Sequence, residues 1–99
     1  MYIYNVTVSI DKSLTEDWLQ WMKTVHIPDV LKTGYFIENK ICKVLHVDDE
    51  GDTFSIQYTF KDMADIEAYQ KNDAARLQAE HSKRYEGKYA AFRTLLQIV

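Results

Sequence analysis

The sequence predicts one α+β domain over residues 1–99, with element order β-α-β-β-α-β. Three observations predict it. Residues 2–10 and 53–60 alternate apolar and polar side chains with period two, the signature of strands with one covered face. Residues 13–26 and 62–85 instead repeat apolar side chains at three- and four-residue steps, the signature of helices. The chain is 46% hydrophobic with only three Gly and one Pro in 99 residues, which suits a single packed core and not disorder.

Each element can be justified in order. In the first strand Tyr2, Tyr4, Val6, Val8 and Ile10 share one face, and Asn5, Thr7 and Ser9 the other. Ser13-Leu14-Thr15-Glu16 has the pattern of a capping box at a helix start. Leu14, Trp18, Trp21, Met22 and Val25 then form an apolar stripe. Pro28 disfavours helical dihedrals at Ile27, so the helix is expected to kink or stop near His26. A second short turn of helix follows over residues 28–33, with Gly34 as its left-handed cap. Residues 36–47 read as a long second strand whose apolar phase changes between Ile37, Ile41, Leu45 and Phe36, Cys42, Val44. Residues 48–52 read as a hairpin turn. The third strand puts Phe54, Ile56, Tyr58 and Phe60 on one face. Asp62 caps a helix carrying Met63, Ile66 and Tyr69, Asn72-Asp73 interrupts it, and Leu77, His81 and Tyr85 continue it to Gly87. Residues 89–99 form the last strand.

This order is most simply satisfied by a four-stranded antiparallel sheet with both helices on one face, the ferredoxin-like split βαβ arrangement. The other face then carries Asn5, Thr7, Ser9, Thr53, Ser55, Gln57 and Thr59, polar but uncharged in a chain that is 27% charged. Such a face suits burial against a second sheet, and a homodimer through it is the expectation. The alternative is a solvated face in which Thr serves strand propensity.

Several function classes are excluded or disfavoured. No apolar run approaches a membrane span, and the first residues read as a strand and not a signal peptide. A net charge of −3 opposes phosphate-backbone binding, and the cluster Lys83, Arg84, Lys88 is interrupted by Glu80 and Glu86. One cysteine, Cys42, forms no intrachain disulfide, reads as a small buried hydrophobe and fits a cytoplasmic location. No metal, calcium or nucleotide motif appears, so no cofactor is expected.

The candidate site residues lie on the inward stripes. His26 ends the first helix at the edge of its stripe, and His81 lies between Leu77 and Tyr85 on the second. If both face one cavity, they form a candidate acid–base pair; separately satisfied core histidines are the competing picture. Trp18, Trp21, Tyr4, Tyr58, Tyr69 and Tyr85 are candidates to line an aromatic pocket, with core packing as the alternative. Arg93 is a charge among apolar neighbours Ala91 and Leu95, placed to bind an anion, pair with a carboxylate or sit at a dimer seam. His46 is expected to be solvated near a hairpin tip.

Residues 18–36, WLQWMKTVHIPDVLKTGYF, place an aromatic-rich helix, a His-x-Pro and a Gly-x-Phe before strand two. In this the chain resembles the dimeric α/β-barrel superfamily. Across nearly its whole length, including residues 78–81 and 92–96, it is similar to short bacterial proteins known only as a domain of unknown function. The resemblance implies a homodimer with sheets packed face to face, a pocket between sheet and helices, and His26 at that pocket. The superfamily includes cofactor-independent monooxygenases, small isomerases and ligand-sensing domains. The expected function is therefore a small homodimer binding a partly aromatic or apolar small molecule. The alternatives are a cofactor-independent monooxygenase- or isomerase-like enzyme using His26 or His81, and a purely structural dimer.

Overall fold

The computed structural model describes residues 1–47 and 50–99. Four strands, β1 (Tyr2–Ile10), β2 (Glu38–Lys43), β3 (Asp52–Phe60) and β4 (Tyr89–Gln97), form one antiparallel sheet in the order β2-β3-β1-β4. Between β1 and β2 run a 3₁₀ turn (Lys12–Leu14), α1 (Thr15–Trp21), a π-helical turn (Met22–His26) and α2 (Ile27–Lys32). Between β3 and β4 run α3 (Met63–Tyr69), a second π-helical turn (Gln70–Ala74) and α4 (Ala75–Arg84). No helix among the described residues is long and apolar enough to cross a membrane.

The period-two parity of β1 and β3 sets the core. Tyr4, Val8 and Ile10 of β1 and Phe54, Ile56, Tyr58 and Phe60 of β3 are buried beneath the helices, in register Val8↔Phe54, Val6↔Ile56 and Tyr4↔Tyr58. The helices answer with Trp18, Met22, Ile27 and Val30, and with Ile66, Tyr69, Ala74 and Leu77. Trp18 packs on Phe54 with ring centroids 5.1 Å apart, and Phe36 meets Tyr58 at 5.2 Å and Tyr69 at 4.9 Å. The opposite parity faces outward as expected, and Asn5, Thr7, Ser55 and Gln57 are hydrogen-bonded to one another there.

The local differences from the sequence reading have physical causes. The helix does not stop at Pro28. Ile27 keeps helical dihedrals (φ −60°, ψ −46°), and its N–H reaches back to the Met22 carbonyl, so the turn widens to absorb the proline and continues. The interruption at Asn72-Asp73 is likewise a π turn and neither a kink nor a new cap. The buried stripe shows the consequence: it advances by five residues once in each helix, from Met22 to Ile27 and from Tyr69 to Ala74.

The capping box at Ser13 is replaced by Asp11, whose Oδ1 accepts from the Ser13 N–H at 2.9 Å and the Ser13 hydroxyl at 2.7 Å. Strand β2 is shorter than residues 36–47. Ile37 and Leu45, outside it, are exposed, while Phe36 turns into the core ahead of it. Cys42 is half-buried on the outward face opposite Ser55, and not fully buried. Gly34 has φ +86°, the left-handed cap the sequence required. Of the turn expected over residues 48–52, Asp48 and Asp49 lie outside the described residues; Asp52 already opens β3 and accepts from the Thr15 hydroxyl at 2.7 Å.

Burial separates the two tryptophans. Trp18 is fully buried, so Trp18→Ala is expected to cost about 3–5 kcal/mol, whereas half-buried Trp21→Ala should cost clearly less. Urea unfolding followed by circular dichroism measures both.

Candidate functional site

The first π turn sets the position of His26. A widened turn brings two successive residues toward the sheet, so Ile27 carries on the buried stripe while His26 stands beside it. His81 comes from α4, four residues after Leu77. The two imidazoles meet with ring centroids 5.8 Å apart and planes at 62°. They line one cavity of about 40 Å³ between sheet and helices, together with Tyr4, Tyr58, Tyr69, Gln78, Tyr89 and Arg93 and an apolar floor of Val6, Val8 and Ile56.

The two histidines are held differently. His81 Nε2 accepts the indole N–H of Trp18 at 2.9 Å in the buried core. A neutral His81 therefore carries its proton on Nδ1. Its ring also receives Tyr89 edge-on at 4.5 Å. His26 is stacked under Trp21 at 5.1 Å and 26°, and its Nδ1 is buried with no hydrogen-bond partner among the described residues. Burial pushes both imidazoles down to about 4. For His26, Asp29 opposes the shift and Arg93 adds to it; for His81, His26 and Arg93 both add to it. Both are neutral at pH 7.

The polar side of the cavity is built on the strands. Arg93 projects from β4 on the face of Val6, and its Nε donates to the Tyr4 hydroxyl at 3.1 Å. Burial raises the phenols of Tyr58 and Tyr69, with further upward contributions from neighbouring tyrosines, so both stay protonated. Arg93 is exposed and bounds the cavity toward solvent.

The structure thus brings His26, His81, Tyr4, Tyr58, Tyr69 and Arg93 together on one cavity. It leaves Trp18, Trp21 and Tyr85 off the cavity wall. Trp18 and Trp21 stand behind the histidines and fix them. Tyr85 donates its hydroxyl to Asp17 at 2.8 Å, accepts from Arg84 Nε at 3.1 Å, and packs its ring on Trp21 and His81. Gln78 and Tyr89 were not singled out from sequence as site residues. The available signals were modest: Gln78 precedes His81 by one helical step, and Tyr89 shares the parity of Ala91 and Arg93. At about 40 Å³ the cavity holds about one or two waters and is far below the roughly 300 Å³ of ordinary ligand pockets. Among the described residues no three His, Cys, Asp or Glu side chains are grouped to hold a metal ion.

Comparison with known proteins adds a family and a fold. A family model described as "Domain of unknown function (DUF4286)" matches residues 1–99. No curated protein matches the chain. Among solved structures, a dimeric ferredoxin-like protein from an uncultured marine organism is 13% identical with TM-score 0.72, covering 99% of this chain and 94% of that one. An "ethyl tert-butyl ether d (ethd) family protein" from Bacillus halodurans is 10% identical with TM-score 0.70, covering 100% of both chains. An antibiotic biosynthesis monooxygenase is 12% identical with TM-score 0.64, covering 100% of this chain and 99% of that one. At these identities the likeness is one of fold: the domain is ferredoxin-like.

The neutral histidines predict a pH dependence. Their folded values lie below the ordinary 6.5, so between pH 6.5 and about 4 the unfolded chain binds more protons. Stability is therefore complete above 6.5 and falls with pH through that window, by up to about 1.4 kcal/mol per pH unit for each histidine. Urea unfolding between pH 6.5 and 5 should show this slope, and His26→Phe should reduce it. Imidazole NMR should show both rings titrating well below 6.5, in coupled steps in which the first proton taken up disfavours the second.

Proposed function

The chain belongs to the DUF4286 family, a domain of unknown function, and we propose that it works as a homodimer that binds a small, partly aromatic or apolar molecule between sheet and helices. The observation that carries the reading is His26 Nδ1, buried and unpartnered on the wall of a cavity it shares with His81 and Arg93. Buried polar atoms are nearly always satisfied, and a ligand in the cavity supplies the missing partner. Val6, Val8, Met22, Val30 and Ile56 offer apolar contact, and Tyr4, Tyr58, His26, His81 and Arg93 offer polar anchors. Arg93 lies exposed on the edge strand β4, at the border of the cavity.

The dimer rests on the second sheet face. Uncharged Asn5, Thr7, Ser55 and Gln57 satisfy one another there, and exposed Phe92 stands beside Thr7 in the register. A shallow groove of about 400 Å³ runs between Val44, Val47, Ala90 and Phe92. A second copy laid sheet to sheet covers these groups, and the dimeric ferredoxin-like proteins of the same fold support that occupant. The single cysteine, free and half-buried on this face, fits a cytoplasmic setting.

A second reading is favoured by the histidine geometry. With Trp18 occupying His81 Nε2, His81 is a donor through Nδ1, while His26 offers a neutral ring with a free nitrogen. Such a pair suits cofactor-independent acid–base chemistry of the isomerase or monooxygenase kind.

Two measurements test the proposal. Sedimentation at micromolar concentration should show a dimer, and Thr7→Lys with Gln57→Lys should split it by placing charges in the seam; a stable monomer for the unmutated protein would overturn the dimer. Native mass spectrometry of protein from its own host should show a retained small molecule, lost in Arg93→Ala. A dimer free of any such mass would leave a filled, structural core. If the ligand is a substrate, His26→Gln should weaken binding and, at saturating ligand, lose about 10²-fold or more in turnover.

A further inference from the structure

The donors and acceptors on the cavity wall are unequal. Arg93 is the one formally charged side chain lining it. No ion pair engages Arg93 among the described residues, where three others are formed. The nearby carboxylates lie off the wall: Asp73 is held by Arg76 at 2.8 Å, and Asp29 acts on His26 from α2. The hydroxyls of Tyr58 and Tyr69 have no hydrogen bond among the described residues, and the phenol of Tyr4 already accepts from Arg93. His81 keeps its proton on Nδ1 because Trp18 occupies Nε2. A guanidinium, two free phenols and an imidazole N–H are donors on a wall whose other free groups are the Gln78 amide, donor and acceptor at once, and the His26 nitrogen.

From this inventory we infer that the cavity receives the carboxylate head of its ligand, a monoanion seated between Arg93 and the hydroxyls of Tyr58 and Tyr69. The inference rests on the ligand-binding reading above and names the ligand's class. A carboxylate only accepts hydrogen bonds, so it suits the guanidinium and the two phenols, and its single charge matches the single guanidinium. A neutral amide of the same shape leaves Arg93 without a counter-charge. The small volume fits a head group, and the body of a larger acid extends past Arg93 toward the mouth.

Nitrogen-detected and amide NMR of the dimer at pH 7, titrated with formate and acetate and in parallel with formamide and acetamide, tests the inference. The carboxylates should shift the Arg93 Nε–Hε signal and the ring signals of His26 and His81 saturably. The amides should bind about tenfold more weakly or worse. Arg93→Gln should weaken acetate by about tenfold or more, and Arg93→Lys should recover part of the loss. Arg93 is exposed on an edge strand, so an unchanged amide spectrum certifies the fold of each variant. Tyr58→Phe and Tyr69→Phe, which keep ring volume, should each weaken acetate as well. Equal affinity for acetate and acetamide, or an Arg93→Gln protein that binds acetate normally, would overturn the carboxylate assignment while leaving a small-molecule site in place. Silence of all three residues to both probes also overturns it, and the small-molecule reading then stands or falls on the retained mass in native spectrometry.

Discussion

The hydrogen bond from the Trp18 indole to His81 Nε2 ties the molecule together. An indole N–H taken into a dry core needs an acceptor, and in this core the acceptor is an imidazole 63 positions further along the chain. The bond joins the first helical segment to the last. It requires His81 to be neutral, fixes its tautomer, and sets its ring where His26, Trp21, Tyr85 and Tyr89 all pack against it. One polar contact between helices thus specifies both the helix pairing and the electrical state of the cavity. A protonated His81 would face the indole with two like donors, so the same bond makes acid conditions hostile to the fold.

The sheet separates two tasks by parity alone. Residues of β1 and β3 that point one way meet the helices and carry the aromatic core; their immediate neighbours point the other way and form a hydrogen-bonded, uncharged surface. Arg93 stands on the helix side in register with Val6, and Phe92, one residue before it, stands on the open side in register with Thr7. Adjacent residues of one edge strand therefore face the cavity and the open side of the sheet. A change of register by one residue would exchange them, which ties the two surfaces to a single strand pairing.

The sequence made the sheet legible because one covered face imposes a strict period of two, and Tyr2 to Ile10 and Phe54 to Phe60 obey it. It made the meeting of His26 and His81 legible because both lie along inward stripes that converge over one sheet. Depth was not legible. A helical wheel gives direction, so Trp18, Trp21 and Tyr85 read as pocket-lining when they in fact stand behind the histidines. The π turns are not legible from the usual spacing, because a five-residue step between buried positions reads as a break near Pro28 and Asn72. The pair of steps, Met22 to Ile27 and Tyr69 to Ala74, was present in the sequence, yet only a rule that admits a wide turn can use it. Strand β2 was overextended because Ile37 and Leu45 are apolar but stand on the surface.

The wide turns also say how this architecture changes over generations. A π turn is an α-helix holding one surplus residue. Losing that residue from Met22–His26 restores a regular helix and shortens the step from Met22 to Ile27 to the four residues of an ordinary turn, so Ile27 and Val30 keep facing the sheet while the extra inward place beside them, which His26 takes, is lost. The same arithmetic applies at Gln70–Ala74, where the loss of one residue would leave His81 on the buried stripe with Leu77 and in reach of Trp18. Side-chain substitution adjusts this cavity in small increments, whereas loss of the surplus residue at Met22–His26 would remove one inward place in a single step. The wide turns otherwise absorb a one-residue difference that a regular helix would pass on as a rotation of about 100°.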